Sequence, residues 1–164
     1  MAPFTVFEDD RVRVSATLVP HGPVFPAYAF RFDSDHRSVT FSGDTSASTN
    51  LARLATHTAL LVHEIMHVRA MLHAGVPAAF VDFLHSVHTD VSEVGAVAAA
   101  ADARSLASSH VVPIDPRSDH GPTLSEQRWI REVKDFDGTT TLAHDLTTFR
   151  IKRRKVAWVR HATT

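Results

Sequence analysis

Apolar and polar positions alternate through VRVSATLV (12–19), AYAFRFD (27–33) and SVTFSG (38–43), the period-two pattern of half-buried strands. Between the last two, SDHR supplies a turn. The period then changes. In STNLARLATH (48–57), Leu51, Leu54 and Ala55 share one helical face, with Ser48 or Thr49 as the N-cap. ALLVHE (59–64) is an unbroken apolar run of strand length, the mark of a strand buried on both faces. Residues 67–84 read as one or two short helices broken near Gly75 and Pro77. DVSEVGAVAAAADA (90–103) predicts an alanine-rich helix, with Asp90 as N-cap and Glu93 completing a capping box. SLASSH (105–110) follows as a short strand, then a Pro/Asp/Gly loop through Pro122. TLSEQRWIREVKDF (123–136) opens on a second box, Thr123 and Glu126, and reads as a helix. Asp137 and Gly138 turn the chain into TTTLAHDL (139–146), a last strand. Strands feeding helices in turn predict α/β layering with a mixed sheet, whose site lies beyond the carboxyl ends of the strands.

Four of these strands run into an imidazole or a carboxylate. The first delivers His21, SVTFSG delivers Asp44, the apolar run delivers Glu64, and SLASS delivers His110. His88 stands just before the alanine-rich helix. Neutral imidazole and carboxylate suit zinc, manganese or iron, and a carboxylate can bridge two such ions. Each residue also has a plain structural reading. Asp44 could close an Asx turn, His21 could be mere loop, His110 could bond a backbone group, and His88 could cap a helix.

Composition narrows the possibilities. With 164 residues, 44% of them hydrophobic, the chain is expected to form a single domain over 1–164, with 149–164 as a basic terminal extension. A formal charge of −1 provides no global field for nucleic acid or membrane. The absence of cysteine excludes disulfides and thiolate metal sites, and fits a cytoplasmic, reducing location. No secretory leader or membrane-spanning run is read in the sequence. Of the 12 histidines, His57, His63, His67, His73, His85, His120, His144 and His161 read as solvent-facing or satisfied polar contacts. His85 rivals His88, because both lie in HSVH. The basic run Lys152 to Lys155 could touch phosphate but reads as a solvated tail.

Taken together, several segments resemble the second half of the metallo-β-lactamase superfamily, in particular its ribonuclease Z and arylsulfatase-like members. These are GDT after an apolar strand, the following helix, LLVHE, and HTDVSEVGAVAAAADARSLASSH. VFEDDRVRVSATLVPHGPVFPAYAFRF is similar to the segment carrying that family's third metal motif, and the tail from HVVPIDP through HDL to the arylsulfatase-like closing segment. The resemblance covers roughly residues 5–148. It departs at two places: ribonuclease Z enzymes carry His-Glu-Ala-Thr where His63-Glu64-Ile65-Met66 stands, and His-Ser-Thr where His88-Thr89-Asp90 stands. The family's His-x-His-x-Asp-His occurs nowhere in the chain.

The resemblance implies half of an αββα sandwich, with His21, Asp44 and His110 as metal ligands and Asp44 shared between two zinc ions. It implies supporting roles in proton movement for Glu64 and His88, His88 as donor to the leaving group. The activity implied is hydrolysis of a phosphodiester, sulfate or related ester, in a small-molecule or nucleic-acid substrate, by water that two zinc ions activate, with manganese or iron as alternative metals. With two protein ligands per ion against the usual three, the chain alone is expected to be inactive. One sheet face is expected to lack cover, to be supplied by an N-terminal half or by self-association. The alternative reading is a non-catalytic remnant or interaction module that pairs with a partner or with itself.

Overall fold

The computed structural model describes residues 1–35, 37–114 and 124–151. Thr123, His120, His161 and the basic run from Lys152 therefore lie outside the described residues.

Four strands form an antiparallel meander: β1 (Phe4–Glu8), β2 (Arg13–Val19), β3 (Ala27–Ser34) and β4 (Arg37–Phe41). Three more, β5 (Leu60–Ile65), β6 (Ser105–Val111) and β7 (Thr139–Leu142), add in parallel, so the sheet runs β1 to β7 in chain order. Because β2 and β4 each oppose β3, both point the same way as β5, β6 and β7. Their carboxyl ends share one edge of the sheet.

The helices are α1 (Thr49–Leu54), α2 (Val68–His73), α3 (Ala78–Val87), α4 (Val91–Ala100) and α5 (Glu126–Glu132). Ser48 caps α1 by accepting from the Leu51 amide, and the Asp90–Glu93 capping box is formed in full. The break near Gly75 and Pro77 separates α2 from α3, with Gly75 at φ +80°.

Four boundaries differ from the sequence reading. β1 was not anticipated; all five of its residues are exposed, as an edge strand allows, so burial imposes no alternation on FTVFE. Asp9 closes the turn into β2 by accepting from the amides of Arg11 and Val12. α4 stops at Ala100, with Asp102 beyond it at φ +47°, and α5 has Ser125 at its N-cap position without a side-chain cap hydrogen bond and spans only Glu126–Glu132. β7 ends at Leu142, its last buried side chain, and the chain turns away through Leu146 at φ +66°.

Alternation along the strands sorts side chains between two faces. Val19, Ala29, Leu61, Ile65 and Leu106 meet Leu51, Leu54, Val94, Ala98 and Trp129 of the helices in the core. The opposite face carries Tyr28, Phe30 and Phe32 of β3, flanked by Phe4 and Phe41, each between 36% and 44% exposed. Their rings touch edge to face, with centroids 6.3 Å apart for Phe4–Tyr28 and 5.8 Å for Phe32–Phe41. The result is a mixed sheet layered with helices and an aromatic stripe open on the other side.

Candidate metal centre

The site is built where the parallel carboxyl ends meet. β4 leaves the sheet through Gly43, at φ +61°, where a Cβ would stand 2.8 Å from the Tyr28 carbonyl oxygen. Only glycine makes that turn freely, and it brings Asp44 out half-exposed beyond the strand. Ser42 on one side of the turn is tied to β5, its amide donating to the Val62 carbonyl. Thr45 on the other side donates its amide to Oε1 of Glu64 at 3.2 Å.

Glu64 organises two loops at once. Its side chain is buried, and Oε1 also accepts from the Thr89 amide at 2.9 Å. The Thr89 hydroxyl in turn donates to the Thr45 carbonyl at 2.6 Å. A buried carboxylate needs donors, and here both reach Oε1 from the loops carrying Asp44 and His88, while Oε2 is buried with no hydrogen-bond partner among the described residues. Neither Thr45 nor Thr89 stood out in the sequence. Their place beside Asp44 in GDT and His88 in HTD was the available signal.

His88 lies between the other two imidazoles, with ring centroids 5.5 Å from His21 and 5.7 Å from His110. Its Nδ1 is 3.3 Å from Oε1 of Glu64, at an angle short of hydrogen-bond geometry. That close carboxylate contact holds the His88 pKa above the usual histidine value, against the opposing pull of burial.

His21 sits just beyond β2, and its Nδ1 is 2.8 Å from the Val87 carbonyl oxygen. A carbonyl only accepts, so Nδ1 carries a proton, and in the neutral ring Nε2 is the nitrogen with the lone pair. A carbonyl holding Nδ1–H in this way fixes the ring orientation an imidazole needs to bind a metal through its other nitrogen. His110 is reached differently. Glu64 pairs with Ser109 and Ile65 with Val111, so His110 is the unpaired residue of a β-bulge. It adopts φ +43°, unusual for a residue with a side chain, and its Nε2 lies 3.4 Å from Oδ2 of Asp44.

His21, Asp44, Glu64, His88 and His110 thus lie together at one sheet edge. Glu64 and His110 stand within their strands rather than beyond them, the latter aimed by the bulge. His85 is not part of the group; its Nε2 pairs with Glu93 at 2.7 Å. Two histidines read as solvent-facing or satisfied are buried and bonded through Nδ1 alone, that of His63 lying 2.7 Å from the Glu64 carbonyl oxygen. His63 is fully buried with Nε2 unpartnered, and burial lowers its pKa. His67 caps α2 by accepting from the Ala70 amide, packs on Trp129, and faces Glu132 at 3.2 Å, its pKa also lowered by burial.

The donor chemistry fits a borderline divalent cation: imidazoles with a free nitrogen beside an accessible carboxylate. The donor count does not close a site from these residues alone. Among the described residues, no three His, Asp or Glu side chains form a group able to hold one ion.

No protein-family model matches the chain. Ribonuclease Z of Mycobacterium tuberculosis (strain H37Ra) is 29% identical over 149 residues, covering 91% of this chain and 52% of that protein. Ribonuclease Z of Mycobacterium marinum is 30% identical over 144 residues, covering 87% of this chain and 48% of its own length. Among solved structures, the metallo-β-lactamase fold protein YhfI from Bacillus subtilis superposes with a TM-score of 0.60 at 19% identity, over 86% of this chain and 49% of that one. The short form of human tRNase Z superposes with a TM-score of 0.59 at 18% identity, over 92% of this chain and 46% of that one. The fold is therefore an α/β portion of the metallo-β-lactamase fold. In sequence the chain is similar to ribonuclease Z proteins, and it spans about half the length of these relatives.

Proposed function

We propose that this chain is the part of a metal-dependent phosphodiester hydrolase that supplies His21, Asp44 and His110 to a metal centre completed by residues outside it. The observation that carries the reading is the meeting of these donors at one sheet edge, with Glu64 bonded to the loops on both sides. Ions held there would supply Lewis acidity and lower the pKa of water. Two ions, with Asp44 between them, and zinc as the metal belong to this reading. So does RNA as the substrate class, since the similar proteins are named as ribonucleases.

The chain's own residues divide the remaining work. Glu64 fixes the Asp44 and His88 loops relative to each other. His88, with a raised pKa, carries the proton that a departing alkoxide needs. His21 is turned by Val87 so that Nε2 faces the centre.

The test joins the amino-terminal part of the M. tuberculosis relative to this chain and follows hydrolysis of bis(p-nitrophenyl) phosphate. The joined protein is expected to turn over, and Asp44→Ala to reduce turnover at least about 100-fold. Undiminished turnover in that variant would reject the assignment. The competing view, a non-catalytic module that pairs through its open face, draws on the aromatic stripe. It predicts no turnover in the joined protein.

A further inference from the structure

The loop joining β2 to β3 begins at His21 and contains a second feature. Phe25 is 78% exposed and Val24 57% exposed, yet the loop that carries them is firmly held. The Val24 amide donates to the His21 carbonyl at 3.1 Å, and the Ser46 amide to the Pro20 carbonyl at 3.0 Å. Gly22, at φ +53°, lies so close to Val87 that a Cβ would be 2.4 Å from Cγ1 of that residue. Pro20, Pro23 and Pro26 fix three further φ angles.

An aromatic ring projected from a braced loop contributes nothing to the core. It lines the same cavity as His21, a space of about 670 Å³ whose other wall carries Ser48, Thr49 and Asn50. That volume lies within the roughly 300–1,000 Å³ of small-ligand sites. Ser48 Oγ and both ends of the Asn50 amide are bonded within the fold, so what the cavity offers a ligand is the exposed ring, with the Thr49 hydroxyl across from it. A planar apolar ring beside the proposed diester-cleaving centre matches the π-face of an unpaired base.

We propose that Phe25 is the stacking platform for an unpaired nucleobase of the diester, placing the adjacent phosphate at His21. This deepens the phosphodiester reading above and rests on it. It also gives the loop a purpose that the metal ligands alone do not require.

The experiment measures fluorescence anisotropy of fluorescein-labelled hexauridylate with the full chain at low salt. Wild type, Phe25→Ala and Phe25→Trp are compared, with an abasic hexamer carrying the same dye and phosphates as control. Phe25→Ala is expected to weaken binding about 5- to 150-fold, the loss of one base–aromatic stack, while Phe25→Trp keeps it. The abasic strand is expected to bind weakly to all three. Because Phe25 is exposed, matching circular dichroism should show that every variant is folded. Equal affinity for Phe25→Ala and wild type, equal affinity for the abasic strand, or no binding of hexauridylate each overturn the proposal. Its failure is separable from that of the metal reading. Phe25-dependent binding with metal uptake indifferent to Asp44 sinks the metal reading alone, and the reverse pattern sinks the stacking alone.

Discussion

Nε2 of His110 lies 3.4 Å from Oδ2 of Asp44, and both reach that contact through left-handed backbone: Asp44 after Gly43 at φ +61°, His110 itself at φ +43°. Glycine adopts that conformation without penalty; histidine does not. The fold therefore holds His110 where a glycine would be more comfortable, which is how a strained position marks a site.

His110→Gly should relieve that strain. Urea unfolding is expected to show a protein as stable as wild type or more stable by about 1 kcal/mol, although a side chain has been lost. A loss of more than about 1 kcal/mol would mean that the His110 ring supports the fold rather than a ligand.

Glu64→Ala would leave the Thr45 and Thr89 amides without their acceptor. The expected cost is about 2–4 kcal/mol in urea unfolding, with Glu64→Gln recovering most of it because an amide oxygen still accepts. Similar losses for the two variants would show that charge, not acceptance from the loops, is what Glu64 provides.

The buried histidines set the acid side of the stability profile. Burial lowers the folded-state pKa of His63 and of His67, so below the ordinary value of 6.5 the unfolded chain binds protons that the native state refuses. The contribution of these two rings should be full above about pH 6.5 and fall below it, by up to about 1.4 kcal/mol per pH unit for each. The fall ends once pH passes below their folded values. His88, with its raised pKa, instead adds stability that is full below about pH 6.5 and lost as pH rises through its folded value. Urea midpoints across pH 5 to 8 measure this, and His63→Leu should flatten the profile. A profile that rises on acidification below about pH 6.5 would contradict the neutral, buried state of His63 and His67.

The open aromatic face makes a prediction about association. Phe30 and Phe32 stand side by side in a stripe that no described helix covers. Sedimentation of the chain alone is expected to depend on concentration, and the paired Phe30→Lys, Phe32→Lys variant to sediment as a monomer. Monomeric wild type at about 100 µM, a concentration that would populate even a weak dimer, would argue that the stripe is inert.

Much of this architecture was legible in the sequence where periodicity was sustained. The alternation of β2 and β3, the apolar run of β5 and the Asp90–Glu93 box are local signals, and each element appears where its pattern lies. β1 escaped because an edge strand exposed throughout has no alternation to impose. β7 and α5 were read too long, because burial ends at Leu142 and helical geometry at Glu132. The grouping of His21, Asp44, Glu64, His88 and His110 could be suspected from strand-end positions and from family resemblance. What sequence could not supply was the means: the bulge that turns His110, the Val87 carbonyl that fixes His21, and the two threonine amides on Glu64. These are contacts between segments distant in the chain, with no local pattern to announce them.

The central claim, that this chain brings part of a metal centre, is tested most directly by zinc stoichiometry. Inductively coupled plasma mass spectrometry is applied to the joined polypeptide after dialysis, beside its Asp44→Ala form. About two zinc ions per chain are expected in the first, as a two-metal centre requires, and a loss of at least about one in the second. Equal zinc content in the two proteins would contradict the account.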